Sequence, residues 1–364
     1  MKPLCEKIYL ELDMPNENDT LGDKDRIINA LKDKYENITM PYKIVKKLYP
    51  MCRENNFKIT VTILKRQYDW VVTNVEGKDT SNCNYGIAVD LGSTTITMQL
   101  INLNNKQVIA QESTFNKQVK YGEDILSRIF YTKQYKNGLR EIQKSTIESF
   151  KELINKLEIK SNINIKNCSI MIVSGNTTMT HFLLGINPWT IFQSPFTPVF
   201  NDGGFIKGED IDLPIDGYVY CFPSVANYFG GDLVSGLLYT EIYKKDELCA
   251  LIDIGTNREL VIGNKDFLIA CAGAAGPALE GGISKYGMRA SDGAIDSIKI
   301  INNKITYTTI NNKKPRGICG SGIVDLIAQS FLNKWIDFSG TLIQENSNSI
   351  IKINDEYAIE YATI

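Results

Sequence analysis

Two short stretches of the chain carry residue types suited to gripping a phosphate chain. At 85–97 the sequence reads Tyr-Gly-Ile-Ala-Val-Asp-Leu-Gly-Ser-Thr-Thr-Ile-Thr. An apolar run, Ile87 to Val89, meets Asp90, then Gly92 and three hydroxyls, Ser93, Thr94 and Thr95. The glycine lets backbone N–H groups approach an anion, the hydroxyls add donors, and the carboxylate can hold a hydrated Mg²⁺. A strand ending in Asp-x-Gly-Ser also makes an ordinary hairpin. A second copy favours the chemistry: Leu251 to Leu260 reads Leu-Ile-Asp-Ile-Gly-Thr-Asn-Arg-Glu-Leu, an apolar strand, a turn at Asp253, Gly255 and Thr256, and a returning strand. Copies about 160 residues apart predict a pseudo-symmetric fold whose halves meet opposite ends of one phosphate chain.

Other stations follow the same logic. Ser169 to Val173 predicts a buried strand running into Ser174-Gly175-Asn176-Thr177-Thr178-Met179-Thr180-His181 and a helix. That suits a ligand at the carboxyl edge of a sheet, and equally a plain glycine turn with a threonine N-cap. Gly230-Gly231-Asp232 lies in the first turn of a predicted helix. There Asp232 reads either as a cap or as a carboxylate that orients a nucleophilic water or hydroxyl. Gly276, within Ala-Ala-Gly-Pro, allows close backbone approach. Gly317-Ile-Cys-Gly320-Ser321-Gly322 opens a helix expected at Ile323 to Leu332, a common but weak anion signature.

The elements that must position these residues alternate between strand and helix. Residues 1–83 predict a small α+β module: a strand over Lys7 to Leu12, helices over Asp23 to Lys34 and Tyr42 to Cys52, and a hairpin over Phe57 to Leu64 and Trp70 to Val75. Glu76 to Asn84 reads as its linker. Residues 84–245 and 246–364 form the two halves. The first adds a strand over Val108 to Thr114, helices over Ile125 to Phe130 and Leu139 to Leu157, and a loop-rich insertion at 187–220 punctuated by Pro188, Pro195, Pro198 and Pro214. In the second, a strand pair is expected near Ile295 to Thr309, and strands at Ile350 to Ile353 and Tyr357 to Ile364.

With 364 residues, 43% hydrophobic, the chain can bury sizeable cores. Forty basic residues against 42 acidic ones give a net charge of −2, which points to neither a nucleic-acid groove nor an anionic membrane surface. The start carries no apolar signal segment and no run approaches membrane-spanning length, so a cytoplasmic location is expected. The eight cysteines are scattered without a Cys-x-x-Cys pair, and His181 is the single histidine. Mechanisms built on a His dyad or several His ligands are excluded.

The order Asp-Leu-Gly-Ser-Thr-Thr, Gly-Asn-Thr-Thr-Met-Thr-His, Asp-Ile-Gly-Thr-Asn-x-Glu, Ala-Ala-Gly-Pro-Ala-x-Glu-Gly and Gly-Ile-Cys-Gly-Ser-Gly resembles the reductive activators of corrinoid proteins. These belong to the ATPase superfamily of actin, sugar kinases and heat-shock chaperones (ASKHA). The likeness covers 85–364, with 1–83 similar to that family's middle domain. It implies a two-lobed, ribonuclease-H-like α/β fold behind a small α+β domain. It also implies an enzyme that uses ATP to drive reduction of Co(II) corrinoid to Co(I) on a partner methyl-transfer protein. By resemblance Asp90, Gly92, Ser93 and Thr94 form the first phosphate motif, and Asp253, Gly255, Thr256 and Asn257 the second, supported by Glu259. Asp90 and Asp253 would hold Mg²⁺ through water, Asp232 would orient the attacking water, and Gly320 to Gly322 would lie near the nucleotide.

Departures from the family pattern add expectations. Its members begin with a ferredoxin-like domain holding a [2Fe–2S] cluster, whose cysteine run is missing from this sequence. No iron–sulfur cluster is therefore expected in this chain, and a separate ferredoxin-like electron donor is. Arg258 stands where the family has glycine, a cation that either pairs with phosphate or blocks it. The family's adenosine loop lies beyond Ile364, so an incomplete second lobe and a complementary C-terminal chain are expected. The likeness also implies a homodimer. A small-molecule kinase of the same superfamily and a non-hydrolysing docking protein stay open as alternatives.

Overall fold

The computed structural model describes residues 4–227, 229–254, 257–274, 286–346, 350–353 and 356–359. The chain divides into two units, Met1–Asp253 with Glu259–Ala272, and Ile254–Arg258 with Gly273–Ile364.

The first unit begins with apolar spacings that fit a sheet covered by two helices. Strands β1 (Cys5–Glu11), β2 (Ile38–Thr39), β3 (Lys58–Lys65) and β4 (Trp70–Gly77) pair in the order β1-β3-β4-β2. Helix α1 (Asp23–Leu31) buries Ile27 and Leu31, and α2 (Tyr42–Glu54) buries Ile44, Leu48 and Cys52 one turn apart, against Ile59, Val61, Ile63 and Val72. Strand alternation turns Leu64 to the other face. There it joins Cys5 and Val71 against Ile170 and Tyr218 of the next region. The expected linker from Glu76 is shorter, because β4 runs to Gly77, and it is tied down at its end. Buried Asn84 donates to Cys5 O (3.4 Å) and accepts from Ser169 Oγ (2.9 Å).

The following region is one six-stranded sheet. Strands β5 (Tyr85–Leu91), β6 (Thr95–Asn102), β7 (Val108–Phe115), β8 (Ile170–Ser174), β9 (Phe205–Lys207) and β10 (Tyr218–Cys221) take the order β7-β6-β5-β8-β10-β9. β5, β8 and β10 run parallel, while β6, β7 and β9 pair antiparallel. Helices α3 (Ile125–Gln134), α4 (Gly138–Ser161), α5 (Thr177–Leu184), α6 (Trp189–Phe192) and α7 (Gly231–Thr240) complete it. The long α4 lays Ile142, Phe150, Leu153 and Leu157 on the core shared with Ile87, Met98 and Met171.

Two strands lie inside the stretch expected to be loop. β9 and β10 are three and four residues long, too short to show a period among the flanking prolines. β10 is nevertheless an interior strand, because its backbone pairs with β8 on one side and β9 on the other. Three further strands, β11 (Cys249–Ile254), β12 (Asn257–Gly263) and β13 (Leu268–Ala274), form a sheet in that order.

In the second unit β14 (Ala294–Ile301) and β15 (Lys304–Thr309) form a hairpin whose turn, Asn302 and Asn303, has positive φ at both positions, as a tight two-residue turn requires. β16 (Gly317–Ile318) runs parallel to β14, and α8 (Gly320–Leu332) packs Ile323 and Leu326 on Ile295, Ile298 and Ile318. The last pair is β17 (Ile350–Ile353) with β18 (Glu356–Ile359). Residues 360–364 of the strand expected at the end lie outside the described residues.

Candidate nucleotide-binding site

Antiparallel pairing sets Asp90 opposite Thr97 and Leu91 opposite Ile96. Residues 92–94 are left as a tight turn. Gly92 is required there, since a Cβ would stand 2.5 Å from Thr95 O. Asn116, 24 residues away, clamps the turn: its side-chain amide donates to Gly92 O (2.9 Å) and its backbone N–H to Thr94 O (2.8 Å). No local sequence signal marks Asn116 for this role. Ser93 is buried, and Thr95 stays exposed at the start of β6.

Parallel pairing places Ser174 beside Asp90. The chain then turns at Gly175, where a Cβ would come within 2.9 Å of Leu91 O. Asn176, and not a threonine, caps α5 by accepting the Met179 N–H (3.0 Å). Thr177 is fully buried and its hydroxyl is engaged with Ala226 O (2.8 Å). It therefore shapes the turn from behind. The 230–232 segment closes on this corner: Gly231 N–H donates to Gly175 O (2.8 Å), Ser174 Oγ donates to Gly231 O (2.8 Å), and Ser174 and Ser235 hydroxyls lie 2.7 Å apart. A Cβ on Gly230 would fall 2.3 Å from Asn176 Cα, so glycine permits the approach. Ser174 thus ties the Asp90 strand to the first turn of α7, a role its position one residue before the Gly-Asn-Thr-Thr motif could have flagged.

Asp232 sits in that first turn, where its carboxylate accepts the Leu233 N–H (2.8 Å). It lies one residue inside the helix, whose N-cap is Gly230, and is a member of an acidic group. Desolvation, then the charges of Asp253 and Asp90, push its pKa up to about 6. Buried Glu259, on β12, rises to about 7 through desolvation and the charges of Asp232 and Asp253. Asp90 is raised by desolvation of its carboxyl and by Asp253. A rise from 3.8 to about 6 sets roughly 3 kcal/mol against the charged form. Four carboxylates from β5, α7, β11 and β12 therefore repel one another in a shared field.

A cation relieves such repulsion. Among the described residues no three His, Cys, Asp or Glu side chains gather tightly enough to hold a metal directly. Mg²⁺ needs no such cluster, since it binds through one or two carboxylates, retained waters and phosphate oxygens. The Gly92 turn supplies the backbone cradle, and Asp90 and Asp253 the anionic donors, so the residues present fit a magnesium nucleotide.

The remaining expected site residues are outside the described residues or in the second unit. Gly255, Thr256 and Gly276 lie outside the described residues, as do the side chains of Asn257 and Arg258. Gly320, Ser321 and Gly322 belong to the second unit and form the first turn of α8, which starts three residues earlier than its apolar run implied. Gly322 has a packing reason, since a Cβ there would meet Ile295 O at 2.3 Å. Asp325 is likewise structural, accepting Ser297 Oγ (2.8 Å) and Ile298 N–H (3.0 Å).

Comparison with known families covers nearly the whole chain. Residues 1–82 match the RACo linker region, 85–245 the RACo middle region, and 247–363 the C-terminal domain of RACo, the ASKHA domain. The chain belongs to the RACo family. The solved structure of a reductive activator for corrinoid, iron–sulfur protein matches 98% of this chain with a TM-score of 0.85 and 35% identity, covering 58% of that protein. This α/β architecture with an ASKHA domain is the one expected from the motifs. The corrinoid activation enzyme RamQ of Eubacterium limosum is 35% identical over 278 residues, 76% of this chain and 46% of RamQ. The [Co(II) methylated amine-specific corrinoid protein] reductase of Methanosarcina barkeri is 26% identical over 233 residues, 59% of this chain and 41% of the reductase. The chain spans under half the length of these curated relatives.

Proposed function

We propose that this RACo-family chain is the nucleotide-binding and hydrolysing core of a reductive activator. In this reading ATP hydrolysis drives one-electron reduction of a Co(II) corrinoid to Co(I) on a partner methyl-transfer protein. The observation that carries it is the coupled carboxylate set Asp90, Asp232, Asp253 and Glu259, gathered at strand and helix ends beside a glycine cradle. The names of the relatives, a corrinoid activation enzyme and a Co(II) corrinoid protein reductase, support the choice of substrate.

Each residue then has a task. The turn at Gly92, Ser93, Thr94 and Thr95 offers backbone and hydroxyl donors to phosphate oxygens. Asp90 and Asp253 hold the hydrated Mg²⁺, which supplies charge neutralisation on the phosphates when bound. Asp232, poised near neutrality, orients the attacking water and accepts its proton. The electron comes from a ferredoxin-like iron–sulfur centre outside residues 1–364.

Calorimetry of Mg–ATP on the purified chain, with Asp253→Ala beside it, tests the first half. Micromolar binding lost in the variant is the expected result. The second half is read from the Co(II) and Co(I) absorption bands of the corrinoid protein, given a reduced ferredoxin. Co(I) that accumulates equally without ATP would overturn the coupling.

A further inference from the structure

His181 makes two bonds that together fix its chemistry. Its Nδ1 lies 2.7 Å from Thr177 O, and a carbonyl only accepts, so Nδ1 carries the proton. Val199 N–H donates to Nε2 at 3.3 Å, so Nε2 is bare. The ring is fully buried and stacks on Phe200 at 4.3 Å and 10°. From there the contacts close a circuit. Asn201 O accepts the Ser224 N–H (2.8 Å), and two residues on, Ala226 O accepts the Thr177 hydroxyl (2.8 Å). Thr177 is where the circuit began. The same stretch leads to Gly231, bonded to Gly175 O, and so to Asp232.

We propose that His181 is a positioning residue: its Nδ1-protonated ring latches the 199–201 segment to α5 and thereby holds Ser224 and Ala226 against Asn201 and Thr177, on the chain that leads to Gly231 and Asp232 at the Gly175 turn. A histidine suits the place because one neutral ring donates on one edge and accepts on the other. Burial supports the neutral form by lowering the ring's pKa, the Thr177 carbonyl opposing, and no charged side chain contributes to that shift among the described residues. The link to catalysis rests on the nucleotide reading above, whereas the latch itself does not.

Two variants separate the bonds. In H181Q the amide oxygen reaches the Nε2 position and keeps the Val199 acceptor. In H181N the amide nitrogen reaches the Nδ1 position and keeps only the Thr177 bond. Hydrogen exchange at the Val199 amide and calorimetric Mg–ATP affinity are measured on the full chain. H181N is expected to exchange Val199 at least about tenfold faster and to bind Mg–ATP about three- to tenfold more weakly, an effect of the size of one lost hydrogen bond, with H181Q within about twofold of the parent. Val199→Pro removes the donor from the exposed side with the ring intact, and should weaken Mg–ATP as H181N does, the double variant adding nothing further. Unchanged Val199 exchange in H181N overturns the latch. Faster exchange with unaltered affinity in both H181N and V199P overturns the positioning role. Absence of Mg–ATP binding by the parent chain would sink the nucleotide reading, leaving Val199 exchange to decide the latch.

Discussion

At the scale of the residue, Asp232 carries a cost and a use in the same carboxyl. Its pKa stands at about 6 in the folded chain against an ordinary 3.8, so between about pH 4 and 6 the folded state binds the proton more tightly than the unfolded one. Stability therefore falls as pH rises through that window. Asp232→Asn keeps an oxygen for the Leu233 N–H and removes the charge. It should raise stability at pH 8 by roughly 1–3 kcal/mol, with little gain at pH 4, as read by urea unfolding at both pH values. The same variant should retain Mg–ATP binding and lose hydrolysis by about 10²–10⁴-fold. Equal loss of binding and turnover would assign Asp232 to holding the nucleotide. For His181 the sign reverses. A buried base with a lowered pKa adds stability that is complete above the unfolded value near 6.5 and is lost as pH falls below it. H181Q should flatten that acid limb, measured by melting temperature between pH 7 and 5.

Elements decide how sharply the cradle is held. The β5–β6 turn is fixed by Gly92, which lets Thr95 O approach, and by Asn116, which bonds two carbonyls from a distant strand end. Gly92→Ala must push against backbone and should weaken Mg–ATP by at least about tenfold. Asn116→Ala leaves Gly92 O without its protein donor and should cost about 1–3 kcal/mol in urea unfolding. A Gly92→Ala chain that binds like the parent would show that the nucleotide does not use this turn. Behind the turn, α4 packs its apolar face on the sheet. Leu153, fully buried in that core, should cost about 2–5 kcal/mol as alanine without altering affinity in the protein that remains folded.

Within the whole molecule, the linker-region module is packed onto the six-stranded region and not merely tethered. Cys5, Leu64 and Val71 share one apolar cluster with Ile170 and Tyr218, and Asn84 bonds Cys5 on one side and Ser169 on the other. Residues on both sides should therefore unfold together. Trp70 reports on the module and Trp189 on the neighbouring region, so variants retaining one tryptophan each should give coincident urea transitions. Leu64→Ala should move both by about 2–4 kcal/mol. Separate midpoints would mean that the two regions are independent. No helix among the described residues is long and apolar enough to cross a membrane.

What the sequence settled by itself is what depends on neighbours along the chain. The Asp90-x-Gly92 turn, the Gly-Asn-Thr-Thr helix start, the helix from Tyr42 and the strand pair β14–β15 all rest on local periodicity or turn chemistry, which physics reads over a few residues. Tertiary structure alone decided the rest. The strand at Tyr218–Cys221 exists because β8 and β9 offer it partners on both sides. Asn116 and Ser174 matter because folding brings them to Gly92 and Gly231. Thr177, a natural ligand candidate by sequence, is claimed by Ala226 O. The raised carboxyls of Asp90, Asp232 and Glu259 arise only when strands remote in sequence bring like charges, that of Asp253 among them, close together, because charge coupling depends on distance in space and not along the chain.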